Sequence, residues 1–151
     1  MDSNTIRKLF KTYKCFKGVF PCDQLPYNES LPLNIIVNTD PSYKPGQHWV
    51  AVSINRKSGG YYFVSFGLPP IVKEIFKFIN TKAILGWVYN KTQIQNIKSS
   101  TCGNYSVLFK IARCSNVKPS DFIKKFNQNT KYNDYIMKKV FKNFKFIKSL
   151  L

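Results

Sequence analysis

Three short apolar runs in close succession limit what this chain can become. Residues 33–39 (LNIIVNT), 47–55 (QHWVAVSIN) and 60–66 (GYYFVSF) are rich in β-branched and aromatic residues and read as strands. Lys57-Ser58-Gly59-Gly60 parts the last two and offers the glycines of a hairpin turn. Helical spacing flanks this block. Ile6, Leu9, Phe10 and Tyr13 share a face within 1–14, and Ile71, Ile75, Phe78 and Ile79 do so behind Pro69-Pro70. A helix from 101 to about 114 turns Tyr105, Leu108, Phe109 and Ala112 inward. One over 132–149 turns in Ile136, Val140, Phe144 and Ile147. A short strand is expected at 85–89 and a short helix from Asp121, behind Pro119-Ser120. The stretch 18–32 is dense in turn formers and reads as loop. This order predicts one α+β domain over 1–151, a central mixed sheet packed by helices.

Composition narrows the class. Apolar residues make up 44% and aromatics 16% of 151 residues, enough for a packed core rather than disorder. No apolar run approaches the roughly 18 residues of a membrane span. The opening MDSNTIRKLFKTYK lacks the apolar block of a signal peptide, so the expectation is a protein that is not secreted. Cys15, Cys22, Cys102 and Cys114 form no paired metal spacing and are expected as reduced intracellular thiols. With one histidine, little is left for a metal site, and none is expected.

The formal charge is +17, from 24 basic and 7 acidic residues. Such a chain is drawn to polyanions, of which nucleic acid is the commonest. Between 118 and 148 nine lysines face only Asp121 and Asp134. Lys138, Lys139, Lys142 and Lys145 lie mostly off the apolar face of the last helix and form a candidate DNA-binding stripe. The plain alternative is a solvated basic face.

Chemistry concentrates at two dipeptides. The single histidine, His48, opens a strand pattern beside Trp49, so the two side chains point to opposite faces. Trp49 is expected to pack behind the histidine or wall the cleft. Cys102 opens a helical pattern beside Gly103, where unpaired backbone N–H groups favour an anion. Gly103 carries no side chain to block an approaching peptide. Seven residues earlier, the carboxamide of Gln95 is a candidate donor to an oxyanion, with Gln93 as the alternative assignment. Taken singly, each residue is ordinary: a structural cysteine, a packed histidine, a surface glutamine. Together they form a nucleophile, a base and an oxyanion donor.

These motifs carry a resemblance. The segments IIVNTDPSYKPGQHWVAVSI, YYFVSFGLPP and YNKTQIQNIKSSTCGNYSVLF, preceded by GVFPCDQLP, resemble the adenovirus protease (adenain) family over residues 18–115. The look is closest to relatives in Polinton/Maverick elements, virophages and related DNA viruses. Proteases of SUMO-like modifiers share the His-Trp and Cys-Gly signatures. The resemblance implies an adenain/SUMO-protease-like cysteine protease fold. It also implies a monomeric endopeptidase that trims viral or element-encoded capsid precursors during particle maturation. The implied catalytic residues are Cys102 as nucleophile, His48 as general base and Gln95 as oxyanion donor. No bound cofactor is implied, although DNA is a stimulating cofactor for some members. The implied setting is the virion and the infected cell, in its nucleus or a cytoplasmic viral factory, with no membrane association.

One part is missing. The family places an acid within a Tyr-Phe-acid-x-Phe-Gly stretch, and in Tyr62-Phe63-Val64-Ser65-Phe66-Gly67 that position is Val64. Valine neither orients an imidazole nor stabilises its positive charge. A cysteine enzyme tolerates the loss better than a serine one, because the thiol is itself acidic. The sequence therefore supports a working Cys-His dyad, or a silent descendant serving as a structural or nucleic-acid-binding module. A protease of ubiquitin-like conjugates is a third reading. Asp23 and Asp40 are the candidate replacements for the missing one.

Overall fold

The computed structural model describes residues 1–143. Five strands form one sheet in sequence order: β1 (Gly18–Pro21), β2 (Leu33–Asn38), β3 (Trp49–Asn55), β4 (Gly59–Phe63) and β5 (Trp87–Tyr89). The three central strands are antiparallel, with Ile36 opposite Ala51 and Ala51 opposite Phe63. Both outer strands pair in parallel with their neighbours. The expected α+β class with a mixed sheet is therefore observed.

Alternation along the strands divides the core in two. Ile36, Ala51 and Phe63 face α3 (Cys102–Cys114), together with α1 (Ser3–Leu9), α4 (Pro119–Ile123) and α5 (Thr130–Lys142). Ile35, Val37, Val50, Val52 and Tyr62 face α2 (Lys73–Lys82), which contributes Ile75, Phe78 and Ile79. On the α3 side, Phe63 stacks on Phe109 at 4.4 Å between ring centres, and Phe122 meets both rings edge-on. Each such pair adds about 0.5–1.5 kcal/mol beyond its buried area.

Lys110 crosses this interface. It is fully buried on α3, and its ammonium donates to the Val52 carbonyl (2.5 Å), to Ser53 Oγ (2.6 Å) and, at 3.4 Å, to Asn34 Oδ1. Burial pushes its pKa well below the ordinary lysine range.

Several expectations need correction. Residues 18–21 are a strand, not loop. Gly18 and Pro21 disguise it, and Pro21 is tolerated because β1 lies at the sheet edge. The first helix stops at Leu9 rather than running to 14; Asp2 caps its start by accepting from the Thr5 amide at 2.9 Å. Cys15 and Cys114 form a disulfide with Cα atoms 5.8 Å apart, so these two are not reduced thiols; Cys22 and Cys102 are free. The buried face of α5 is Asn133, Asp134, Met137 and Val140, with Ile136 only partly covered. The expected Phe144, Lys145, Ile147 and Lys148 lie outside the described residues. Among the described residues no helix is long and apolar enough to cross a membrane.

Candidate active site

The two dipeptides meet where the head of α3 packs on the start of β3. Gly103 is the contact point. A side-chain carbon placed there would stand 3.1 Å from Trp49 Cδ1 and 3.0 Å from Met1 Cβ. The absence of a side chain is what lets α3 approach this closely. Ser106 Oγ, one turn on, donates to the Trp49 carbonyl at 3.0 Å. The Trp49 indole N–H donates to the Met1 carbonyl at 2.9 Å. Trp49 packs partly buried against the α3-side core, as the alternation predicts.

Cys102 is the first residue of α3 and is 7% exposed. Thr101 occupies the N-cap but makes no side-chain cap, because its hydroxyl donates to Asp134 Oδ1 at 2.9 Å. The first-turn amides of α3 are therefore left without a side-chain acceptor. Such a helix start suits a thiolate or an oxyanion.

His48 sits one residue before β3, and its carbonyl extends the ladder by accepting from the Thr39 amide at 2.9 Å. Its ring stacks on Phe66 at 4.9 Å with a 19° interplanar angle. Nε2 is buried with no hydrogen-bond partner. Burial alone pushes the imidazole pKa down to about 4. The neutral ring is thus the resting form near neutral pH, which disfavours a preformed thiolate–imidazolium pair.

The surroundings explain the orphaned nitrogen. Val64 is 4% exposed within the apolar cluster on which Phe66 packs. It offers no acceptor where the family has a carboxylate. Neither proposed substitute fills the gap. Both Asp23 oxygens accept from Ser42, through its amide and its hydroxyl at 2.7 Å each. Asp40 lines a neighbouring cleft of about 680 Å³ that also touches Met1, Arg7, Lys44 and Trp49. That cleft reaches the site through Trp49 rather than through His48.

Gln95 is fully buried, and its carboxamide is fully engaged. Oε1 accepts from Ser65 Oγ at 2.5 Å, while Nε2 donates to the Ser99 carbonyl at 2.9 Å and to Ser99 Oγ at 3.1 Å. As folded, this amide has no donor left for an oxyanion, contrary to expectation. The alternative, Gln93, is exposed and donates to the Gln95 carbonyl at 2.9 Å.

Two residues that the sequence analysis assigns to no site organise the loop. Asn90 bridges the Val64 backbone, accepting from its amide at 3.0 Å and donating to its carbonyl at 2.7 Å. Asp134 receives Thr101, Tyr105 and the Asn96 amide. Burial and the Asp134 carboxylate push the Tyr105 phenol pKa up, so it remains a donor. Gly67 closes the gap between strand end and loop. It has φ +70°, and a side chain there would fall 2.7 Å from the Thr92 carbonyl carbon. Lys138, Lys139 and Lys142 are exposed on α5, and Lys139 lies 4.5 Å over the Tyr135 ring. Lys145 lies outside the described residues.

A scan against models of protein families finds no match. Over 144 residues the chain is 30% identical to cysteine protease S273R of African swine fever virus (isolate Tick/Malawi/Lil 20-1/1983). That alignment covers 82% of this chain and 51% of the viral protein, so the chain spans about half the length of the curated relative it matches. A crystal structure of the African swine fever virus pS273R protease superposes with a TM-score of 0.49 and 23% identity. The superposition covers 70% of this chain and 42% of that one. The chain is thus similar, over most of its own length, to part of a viral cysteine protease.

Proposed function

We propose that this chain is a cysteine endopeptidase acting on viral or element-encoded structural precursors. The observation that carries the proposal is the similarity to a viral cysteine protease. The seating of Cys102 at an uncapped helix start, with its neighbour Gly103 against Trp49, supports it. In this reading the neutral His48 ring takes the thiol proton as Cys102 attacks the scissile carbonyl. It returns that proton to the leaving amine. The α3 amides hold the oxyanion, joined by Gln95 only if Ser99 releases its carboxamide.

The test is hydrolysis of a panel of capsid-precursor peptides and ubiquitin-like conjugates. We expect cleavage of the former, lost completely in Cys102→Ala. Cleavage of conjugates alone would assign the chain to modifier removal. Turnover that persists in Cys102→Ala would overturn the assignment of the nucleophile.

A second reading is favoured by one observation. The orphaned His48 Nε2, with its ring stacked on Phe66, suits a protein that kept the fold and lost turnover. Its role would then be as a nucleic-acid-binding component, through exposed Lys138, Lys139 and Lys142. Duplex DNA affinity in that case falls steeply with salt and ignores sequence. A flat salt dependence removes nucleic acid from both readings.

A further inference from the structure

Asp134 is an acid on a lysine-rich helix, yet it is 5% exposed and faces the candidate site rather than the lysines. Among the described residues its partners are two hydroxyls and one amide, with no ion pair. Oδ1 accepts from Thr101 Oγ1 and from the Tyr105 phenol, each at 2.9 Å, and Oδ2 accepts from the Asn96 amide at 3.1 Å.

The bonds beyond Asp134 have only one consistent direction. An ionised carboxylate can only accept, so the single Thr101 hydroxyl proton points to it. Thr101 Oγ1 must then accept across its 3.0 Å contact with Ser99 Oγ, so the Ser99 proton points to Thr101. Ser99 Oγ in turn can only accept from Gln95, which requires Nε2 rather than Oε1 on that side. Oε1 is left to take the Ser65 hydroxyl proton. The Ser99 carbonyl, which can only accept, demands the same Nε2, so the buried charge sets the Thr101 and Ser99 hydroxyls and runs consistently into a carboxamide that Ser99 also orients; chains of this kind strengthen each other. The chain links the residue before Cys102 to the carboxamide seven residues upstream.

We propose that Asp134 is a positioning residue. It sets the direction of the Thr101 and Ser99 hydroxyls, which leaves Ser99 Oγ free to accept from Gln95 and hold its carboxamide, and with it the seat of Cys102 at the head of α3. Its role in turnover rests on Cys102 being the nucleophile; its control of the Gln95 amide does not. Asparagine at 134 can donate as well as accept, so the direction of the chain is no longer set. Valine at 101 keeps the shape of threonine and removes the relay hydroxyl.

The experiment compares full-length Asp134→Asn, Thr101→Val and Thr101→Ser with the unsubstituted chain, using two readouts. The first is hydrogen exchange of the Gln95 side-chain amide, followed by NMR, which needs no catalysis. We expect exchange at least tenfold faster in Asp134→Asn and Thr101→Val, and restored by Thr101→Ser. The second is peptide hydrolysis. We expect kcat to fall by about 10–100-fold in those two variants with KM within twofold, because misplacing a reacting group by about 1 Å costs that much. The double variant should be no worse than either single one, the sign of a shared chain. Unchanged Gln95 exchange in folded Asp134→Asn overturns the proposal. Additive losses in the double variant also overturn it. If the unsubstituted chain and Cys102→Ala are equally inert while exchange responds as expected, the polarity assignment stands and only the protease reading fails.

Discussion

The two sides of the candidate site are built by opposite means. On the loop side, Gln95, Ser99, Thr101 and Asp134 satisfy one another down to the last donor. On the strand side, the His48 ring stacks on Phe66 and keeps a buried nitrogen that nothing bonds. A carboxylate is bonded to the N-cap residue of the helix that Cys102 opens, and none is bonded to the His48 ring. The contrast teaches that rigidity and reactivity are separable here. The loop is completed by a buried acid, while the histidine lacks one. Burying an imidazole without a partner favours its neutral form. This side therefore holds a neutral imidazole, fixed by stacking on Phe66.

That comparison can be broken most sharply by giving His48 a partner. Val64→Asp should raise the His48 pKa from about 4 to or above its ordinary value, read by NMR titration of the ring. It should also increase peptide turnover by at least tenfold, since removing the acid from a serine triad costs about 10⁴. A titration that stays near 4 would mean that position 64 does not serve the imidazole, and the contrast would collapse.

The next effect is on stability. Folded His48 takes a proton only below about pH 4, whereas the unfolded chain takes one near 6.5. The unfolded state therefore binds more protons between these values, and stability falls as pH drops through that window. The stability is fully present above about pH 6.5, and the loss by pH 4 is on the order of 3 kcal/mol. His48→Phe keeps the stacking on Phe66 and should flatten this part of the profile in urea titrations. An unaltered slope would place the pH sensitivity elsewhere.

The smallest effect concerns the contact that joins the two sides. Gly103→Val drives a branched side chain towards Trp49 Cδ1 and should cost about 1–3 kcal/mol, seen as a lowered midpoint of denaturation. A neutral result would show that α3 can back away from β3 without penalty.

How far the sequence reached can be judged element by element. The three central strands and α2, α3 and α4 announce themselves through period and punctuation. β1 does not, because Gly18 and Pro21 are turn formers and its parallel pairing with β2 leaves no local hairpin signal. The contact of Cys102-Gly103 with His48-Trp49 was foreseeable from chemistry-bearing residue types, since α3 follows the sheet and begins with a thiol. That position 64 carries valine rather than an acid is plain in the sequence, whereas the burial that lowers the imidazole pKa is seen only in the fold. Asp134 was not. On a helix with Lys131, Lys138 and Lys139 it reads as one more surface charge, and only folding turns it inward. Asn90 was hidden for a similar reason: its partners are backbone atoms of Val64, just past β4 and 26 residues away. The Cys15–Cys114 link, 99 residues apart in sequence, has no spacing signature at all.

Lys110 carries a consequence for alignment. It lies eight residues beyond Cys102, roughly 12 Å along the same helix. Its ammonium fits one place only, among the acceptors of Val52, Ser53 and Asn34. Sliding α3 by one residue would swing that side chain about 100° and strand its polar head in hydrocarbon. The buried amine thus works as a dowel, and the sulfur at the far end of the rod inherits its fixed address from a residue that never approaches it.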